Sequence, residues 1–196
     1  KALLYVGRIH PEKGIGLLLD AFAALPAARR EGWRLVLVGP AEAKYGGGGE
    51  GYFDRVRRRA EPLGSQVEWV GPVFDAARLH AYYRKAALFV YPSLAEKGET
   101  FGLAPLEAMA QGCPALVSAL ACFRDFIDPG VNGFVFDHRA ADPVRALAGL
   151  LDALMEDGVG RERAGAHALR TTEAFSLECV AGQYLDDFAS LVSRGG

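Results

Sequence analysis

The chain has 196 residues, enough for one large domain at roughly 150 residues per domain, with a substantial core. Hydrophobic residues make up 51% and charged residues 23%, a balance that excludes wholesale disorder. Lys and Arg number 22 against 24 Asp and Glu, so the net charge of −2 offers no global field for nucleic acid or anionic membrane.

Cys113, Cys122 and Cys179 are too few and too scattered for a disulfide framework, and with His10, His80, His138 and His167 they make no metal-ligand spacing. They read as reduced thiols of a cytosolic protein. No run reaches the roughly 18 apolar residues of a membrane helix, and no basic n-region followed by an apolar h-region stands at the start of this sequence. Lys1 is followed at once by an apolar strand, which reads as a piece of something longer.

In chain order, short apolar runs alternate with longer amphipathic ones. Leu3–Val6 reads as a strand ending at Gly7, and Ile15–Leu25 as a helix, with Ile15, Leu18, Leu19, Phe22 and Leu25 at helical spacing. Arg34–Val38 is the next strand, ended by Gly39, and Glu50–Leu63 is a helix with a basic face. Val67–Val70 is a strand before Gly71-Pro72, and Asp75 caps a helix running to Ala86. Leu88–Tyr91 is a strand stopped by Pro92. Leu103–Gln111 is a helix with Pro105 in its first turn and Gly112 just past its end. Ala115–Val117 and Phe134–Phe136 are strands, the latter after the turn residues Asn132-Gly133, and Phe123–Ile127 is a short helix between them. From Asp142 the chain is helical, broken near Asp157-Gly158 and Ser176.

Six strands separated mostly by helices predict an α/β fold: a Rossmann-like three-layer α/β/α arrangement around a parallel sheet. Ligands in such folds bind at the carboxyl ends of the strands. The chemistry is therefore expected at residues 7–14, 39–51, 71–75 and 92–102.

Gly46–Gly51 matches G-x-G-x-x-G, with Glu68 about twenty residues on, the outline of an NAD-type dinucleotide fingerprint in an oxidoreductase. Its first glycine stands too far behind its strand, Glu68 lies inside the next strand, and four consecutive glycines match almost any glycine pattern. A flexible loop at the ligand mouth is the better reading.

Two constellations could carry chemistry. In Gly7-Arg8-Ile9-His10-Pro11-Glu12-Lys13-Gly14 a strand ends, a helix follows, and two cations stand between, an arrangement suited to a diphosphate. The plainer alternative is that Arg8 and Lys13 are solvated loop charges. In Glu99–Glu107 seven residues separate two carboxylates, one before a helix and one inside it. The amides of Phe101, Gly102 and Leu103 at the helix start suit an anion. Carboxylates there suit neutral hydroxyls such as those of a sugar, or else they merely favour the helix dipole and face solvent. Glu107 lies among Leu103, Leu106, Met109 and Ala110, so it needs a partner if it is not solvated. Trp69–Val73 ends a strand where a flat base could lie, the plainer alternative being a buried strand end closed by a structural Gly-Pro turn. Arg55 and Arg57–Arg59 read as a solvated helix face.

In this order the motifs GR-I-x-P-E-K-G, LVGP, V-E-W-V-G-P-V, Y-P-S-L-x-E, GETFGLAPLEAMAQGCP and NGFVF resemble the C-terminal domain of retaining GT-B glycosyltransferases of family 4, also called group 1 glycosyltransferases. The likeness runs from Ala2 to about Phe136, and Phe175-Ser176 before a last helix resembles the family's ending.

The resemblance implies that residues 1–196 form the nucleotide-sugar donor domain, with a C-terminal helix over 176–196 and the N-terminal acceptor domain absent. It implies a donor set of Gly7, Arg8, Lys13, Val73, Glu99, Phe101, Gly102, Leu103 and Glu107. Within that set, Arg8, Lys13 and Glu99 form the catalytic group. Arg8 and Lys13 would hold the diphosphate, Glu99 the donor-sugar hydroxyls, Glu107 the ribose hydroxyls, and Val73 would lie near the base. No metal and no cofactor is implied, the nucleoside-diphosphate sugar being the donor substrate. The implied activity is sugar transfer with retained anomeric configuration, inactive without the acceptor half. A cytoplasmic location is implied, with contact at the inner membrane face only through that absent half, and no nucleic-acid partner. Glu96 competes with Glu99 as first carboxylate, but only Glu99 stands eight positions before Glu107.

Overall fold

The computed structural model describes residues 1–194. Six short apolar runs form one parallel sheet: β1 (Ala2–Val6), β2 (Arg34–Val38), β3 (Val67–Gly71), β4 (Leu88–Tyr91), β5 (Ala115–Ser118) and β6 (Gly133–Phe136). Their order is β3-β2-β1-β4-β5-β6. The register aligns Leu4 with Val36 on one side and with Phe89 on the other. β1, β2, β4 and β5 are buried almost throughout, which is why they read as continuous apolar runs rather than alternating ones.

The helices are α1 (Ile15–Ala24), α2 (Ala27–Arg30), α3 (Glu50–Ala60), α4 (Ala76–Lys85), α5 (Leu103–Ala110), α6 (Pro143–Glu156), α7 (Gly158–Thr172) and α8 (Leu177–Arg194). α1 packs against α3 and α6, and α5 against α4 and α7, giving the anticipated three layers. The caps follow the sequence chemistry. Asp75 accepts from the Arg78 amide at 2.7 Å to start α4, and Asp142 accepts from the Arg145 amide at 3.0 Å to start α6. Local differences from the sequence reading are few. α3 ends at Ala60, because Pro62 and Gly64 turn the following segment into a 3₁₀ stretch over Glu61–Gln66. The helix anticipated at 123–127 is a 3₁₀ turn over Ala121–Asp125. The last helix begins at Leu177, after Ser176, and Gly195 and Gly196 lie outside the described residues.

The strand order positions the site. The chain steps outward from β1 to β3, then crosses back over β1 to β4 and continues to the opposite edge. The connections after β1 and β4 therefore diverge and leave a crevice between the carboxyl ends of these adjacent strands. The residue 7–14 loop follows β1, and the 92–102 loop follows β4.

At two glycines that crevice leaves no room for a side chain. Gly14 has φ +71, and a Cβ there would lie on the Pro92 carbonyl oxygen, so the two loops touch backbone to backbone. Gly102 has φ +88, and a Cβ there would press on the Phe123 ring. The resemblance places Gly102 in the donor set, but the packing of Phe123 already requires a glycine there.

Candidate donor-binding site

Lys13 and Glu99 meet in the crevice. Lys13 Nζ donates to Glu99 Oε2 at 2.8 Å across 86 residues of chain. Only 6% of the lysine side chain and 9% of the glutamate side chain are exposed. The ammonium also stands 5.6 Å above the centre of the Tyr91 ring, at the end of β4. Tyr91 stacks on Tyr5 of β1, so the floor beneath the pair is aromatic. Burial, then the adjacent Glu99 charge, pushes the Tyr91 hydroxyl well above the usual phenol range, and it stays protonated.

Arg8 is held differently. Its Nη2 donates to Glu12 Oε1 at 2.6 Å, and its Nη1 to the Gly46 carbonyl at 2.8 Å. The buried Tyr5 hydroxyl donates to the Arg8 carbonyl at 2.8 Å and fixes the backbone. The Arg8 side chain remains 41% exposed. Of its five N–H donors two are engaged, and of the three on Lys13 one is. Both cations keep unengaged donors, and both lie against Glu12, with Arg8 Nη2 at 2.6 Å and Lys13 Nζ at 4.0 Å from its Oε1.

Glu107 lies in the second turn of α5 and is exposed, but it has a buried partner. The hydroxyl of Tyr83, on α4, donates to Glu107 Oε2 at 2.9 Å. α5 begins just after Gly102, which offers no side chain to cap it, and its amino end continues from the 92–102 loop.

The profile of glycosyl transferases group 1 matches residues 1–171. The chain belongs to the group 1 glycosyl transferases. A phosphatidyl-myo-inositol mannosyltransferase of Mycobacterium leprae is 32% identical over 201 residues, covering all of this chain and 48% of that protein. A D-inositol 3-phosphate glycosyltransferase 2 of Catenulispora acidiphila is 37% identical over 203 residues, covering 98% of this chain and 45% of that one. The chain thus spans about half the length of the curated relatives it matches. Sucrose-phosphate synthase from Thermosynechococcus elongatus superposes with a TM-score of 0.81 at 28% identity, over 98% of this chain and 46% of its own. Anabaena Alr3699/HepE, solved in complex with UDP and glucose, superposes with a TM-score of 0.79 at 22% identity, over 96% of this chain and 48% of its own. The fold is that of the C-terminal half of a GT-B glycosyltransferase.

Within this family domain the structure brings Arg8, Lys13 and Glu99 to one crevice and sets Gly7 at its base, where the Gly7 amide donates to the Val38 carbonyl at 2.9 Å. The Phe101 ring turns away from the rim into an aromatic cluster with Phe126 at 5.2 Å and Phe175 at 5.9 Å, so only its backbone can face a ligand. Leu103 is exposed beside it. Val73 stands in the turn after β3, and no hydrogen bond or ion pair ties that turn to the charged cluster. An apolar cavity of about 280 Å³ opens next to it, lined by Ile9, Gly39, Ala41, Phe53, Trp69 and Pro72.

The glycine run is neither a dinucleotide fingerprint nor a loose loop. The family match leaves the oxidoreductase reading without support. The Gly46, Gly47, Gly48 and Gly49 amides donate to the Ala43, Glu42, Ile9 and Ala41 carbonyls at 2.8–3.0 Å, and the Gly46 carbonyl takes Arg8. The run is a bonded platform beneath the residue 7–14 loop.

Sequence reasoning missed Glu12 and Tyr83. Glu12 stands four residues after Arg8, a charge spacing that could have drawn attention to it. Tyr83 carries no such signal. Among the described residues no group of three His, Cys, Asp or Glu could hold a metal ion, and no helix is long and apolar enough to cross a membrane.

Proposed function

We propose that this chain is the donor-binding half of a retaining glycosyltransferase, taking a nucleoside-diphosphate sugar in the crevice between β1 and β4. The observation that carries the reading is the buried Lys13–Glu99 pair beside Arg8, a cation–carboxylate set built from loops 86 residues apart. Folding alone has little use for it, because a buried ion pair is weak as a stabilising device. Arg8 and Lys13 keep spare donors for the diphosphate and stabilise the negative charge that grows as the nucleoside diphosphate leaves. Glu99 accepts hydrogen bonds from donor-sugar hydroxyls, and Glu107 from the ribose. The Phe101, Gly102 and Leu103 amides face the phosphate or sugar at the start of α5. The turn carrying Val73 lies against the base.

In this reading the acceptor attacks on the face the diphosphate leaves, and the leaving phosphate oxygen takes the acceptor's proton. Glu99 binds and does not form a covalent intermediate. The acceptor is held by the remaining length of the protein, which the relatives possess and this chain does not span. The chain alone binds donor and transfers little. The reaction takes no metal and no cofactor, since cations and amides neutralise the phosphates. The protein works in the cytoplasm and reaches the inner membrane face only through its other half.

The relatives' names support a sugar transfer, and the UDP and glucose held by the Anabaena protein support a nucleotide sugar. Isothermal calorimetry with UDP, GDP and ADP tests the reading. At least one is expected to bind, and Arg8→Ala and Lys13→Ala are each expected to weaken it tenfold or more. Absence of binding by all three at millimolar concentration, or unchanged affinity in both variants, overturns it.

A further inference from the structure

Among the described residues, Tyr83 is the one buried phenol whose hydroxyl donates to an exposed carboxylate of the site. Its side chain is fully buried, with the ring edge-on to Phe89 of β4 at 5.7 Å. A phenylalanine would fill this position equally well by volume. A buried hydroxyl costs stability unless it is paired, and the partner here is neither a backbone carbonyl nor another core group but Glu107 Oε2. Burial and then the Glu107 charge hold the phenol pKa well above its usual range. Tyr83 therefore stays protonated and can only donate to an ionised Glu107. Arg84 Nη1 donates to Gln111 Oε1 at 2.8 Å across the same α4–α5 contact, so the two helices are fixed relative to each other where the hydroxyl crosses.

We propose that Tyr83 is a positioning residue that acts through Glu107: it fixes one carboxylate oxygen so that the other accepts hydrogen bonds from the ribose hydroxyls of the donor. This rests on the donor-binding reading above. An unrestrained glutamate on a helix surface samples several rotamers, and ordering it on ligand binding costs affinity. With Oε2 tied to the core, Oε1 is left as an acceptor at a set place. An acceptor there favours a hydroxyl that donates, and a sugar lacking it leaves the carboxylate unmatched. Tyr83 thereby sharpens the choice of ribonucleotide over deoxynucleotide without touching either.

The test compares Tyr83→Phe with the wild-type chain by calorimetry. The probes are whichever of UDP, GDP and ADP binds, and its 2′,3′-dideoxy counterpart. The variant is expected to bind the ribonucleotide about 3- to 10-fold more weakly, the cost of ordering one freed side chain, and to bind the dideoxynucleotide as the wild type does. In the background of Glu107→Ala, which removes the group through which Tyr83 acts, adding Tyr83→Phe is expected to change ribonucleotide affinity less than twofold. Equal losses for both nucleotides, or an unchanged ribonucleotide affinity, overturn this inference alone. A wild-type chain that binds no nucleoside diphosphate overturns the donor reading and this inference with it.

Discussion

Glu99 and Glu107 stand eight positions apart, yet the two regions that carry them fix a carboxylate by opposite means. Glu99 sits on the irregular loop after β4, is nearly buried, and is held by a buried cation from another loop. Glu107 sits on a regular helix, is exposed, and is held by a neutral hydroxyl from the core. The loop supplies no rigidity of its own, so its carboxylate depends on charge pairing, on the Glu99 amide donating to the Ala95 carbonyl at 3.1 Å, and on the Leu94 amide donating to the Glu12 carbonyl at 2.7 Å. The helix has a backbone already fixed, so one torsional anchor suffices. The comparison teaches that loop-borne groups in this crevice should be costly to disturb, and helix-borne ones cheap for stability while still important for binding.

The largest effect should come from breaking the buried pair. Lys13→Met strands the Glu99 charge and is expected to cost about 3–5 kcal/mol in urea unfolding. Adding Glu99→Gln should recover a substantial part, because the uncompensated charge then disappears. No recovery would mean that Lys13 acts through packing on Tyr91 rather than through the pair. Next comes the junction between the two regions, at the start of α5. Gly102→Ala must accept a positive φ and a Cβ against the Phe123 ring, and is expected to cost about 2–4 kcal/mol. Phe123→Leu in that background should relieve only the contact, leaving the backbone strain. Tyr83→Phe should be milder, about 1 kcal/mol by thermal unfolding, since the exposed Glu107 regains water. A loss as large as that of Lys13→Met would erase the contrast between the two carboxylates.

The smallest effect concerns Glu96, three residues before Glu99. It accepts from Arg139 Nη2 at 2.5 Å and from His138 Nε2 at 2.8 Å, latching the loop to the turn after β6. The Arg139 hydrogen bond first, and His138 second, hold the Glu96 carboxyl below its usual value of 4.5. A depressed folded-state value adds stability at higher pH, which is lost as pH falls from about 4.5 through the lower folded value. The stability gap between the wild type and Arg139→Ala should therefore be open at pH 6 and narrow on acidification below about 4.5. A gap that is constant with pH would mean that the latch is not ionic.

Much of this was legible in the chain. The strands and most helix boundaries follow from apolar periodicity, from the caps Asp75 and Asp142, and from Gly112 closing α5. Arg8, Lys13 and Glu99 could be named because strand ends in a parallel sheet gather ligands. Other features stayed hidden because they depend on what arrives from elsewhere. Gly102 answers to Phe123, the glycine run answers to Arg8 and Ile9, and the Phe101 ring is claimed by Phe126 and Phe175. Nothing around Tyr83 distinguishes a hydroxyl that meets a carboxylate from one that faces solvent.

The sequence by itself determined the element types, the parallel three-layer class and the candidate charges, because hydrophobic period, caps and glycine stops act over a few residues. Only the tertiary structure decided which charges pair. The crossover from β3 to β4 sets β4 beside β1 and so brings Glu99 to Lys13, while the packing of α4 on α5 brings Tyr83 to Glu107. Each pairing depends on the geometry between elements, at ångström scale, which local patterning does not encode.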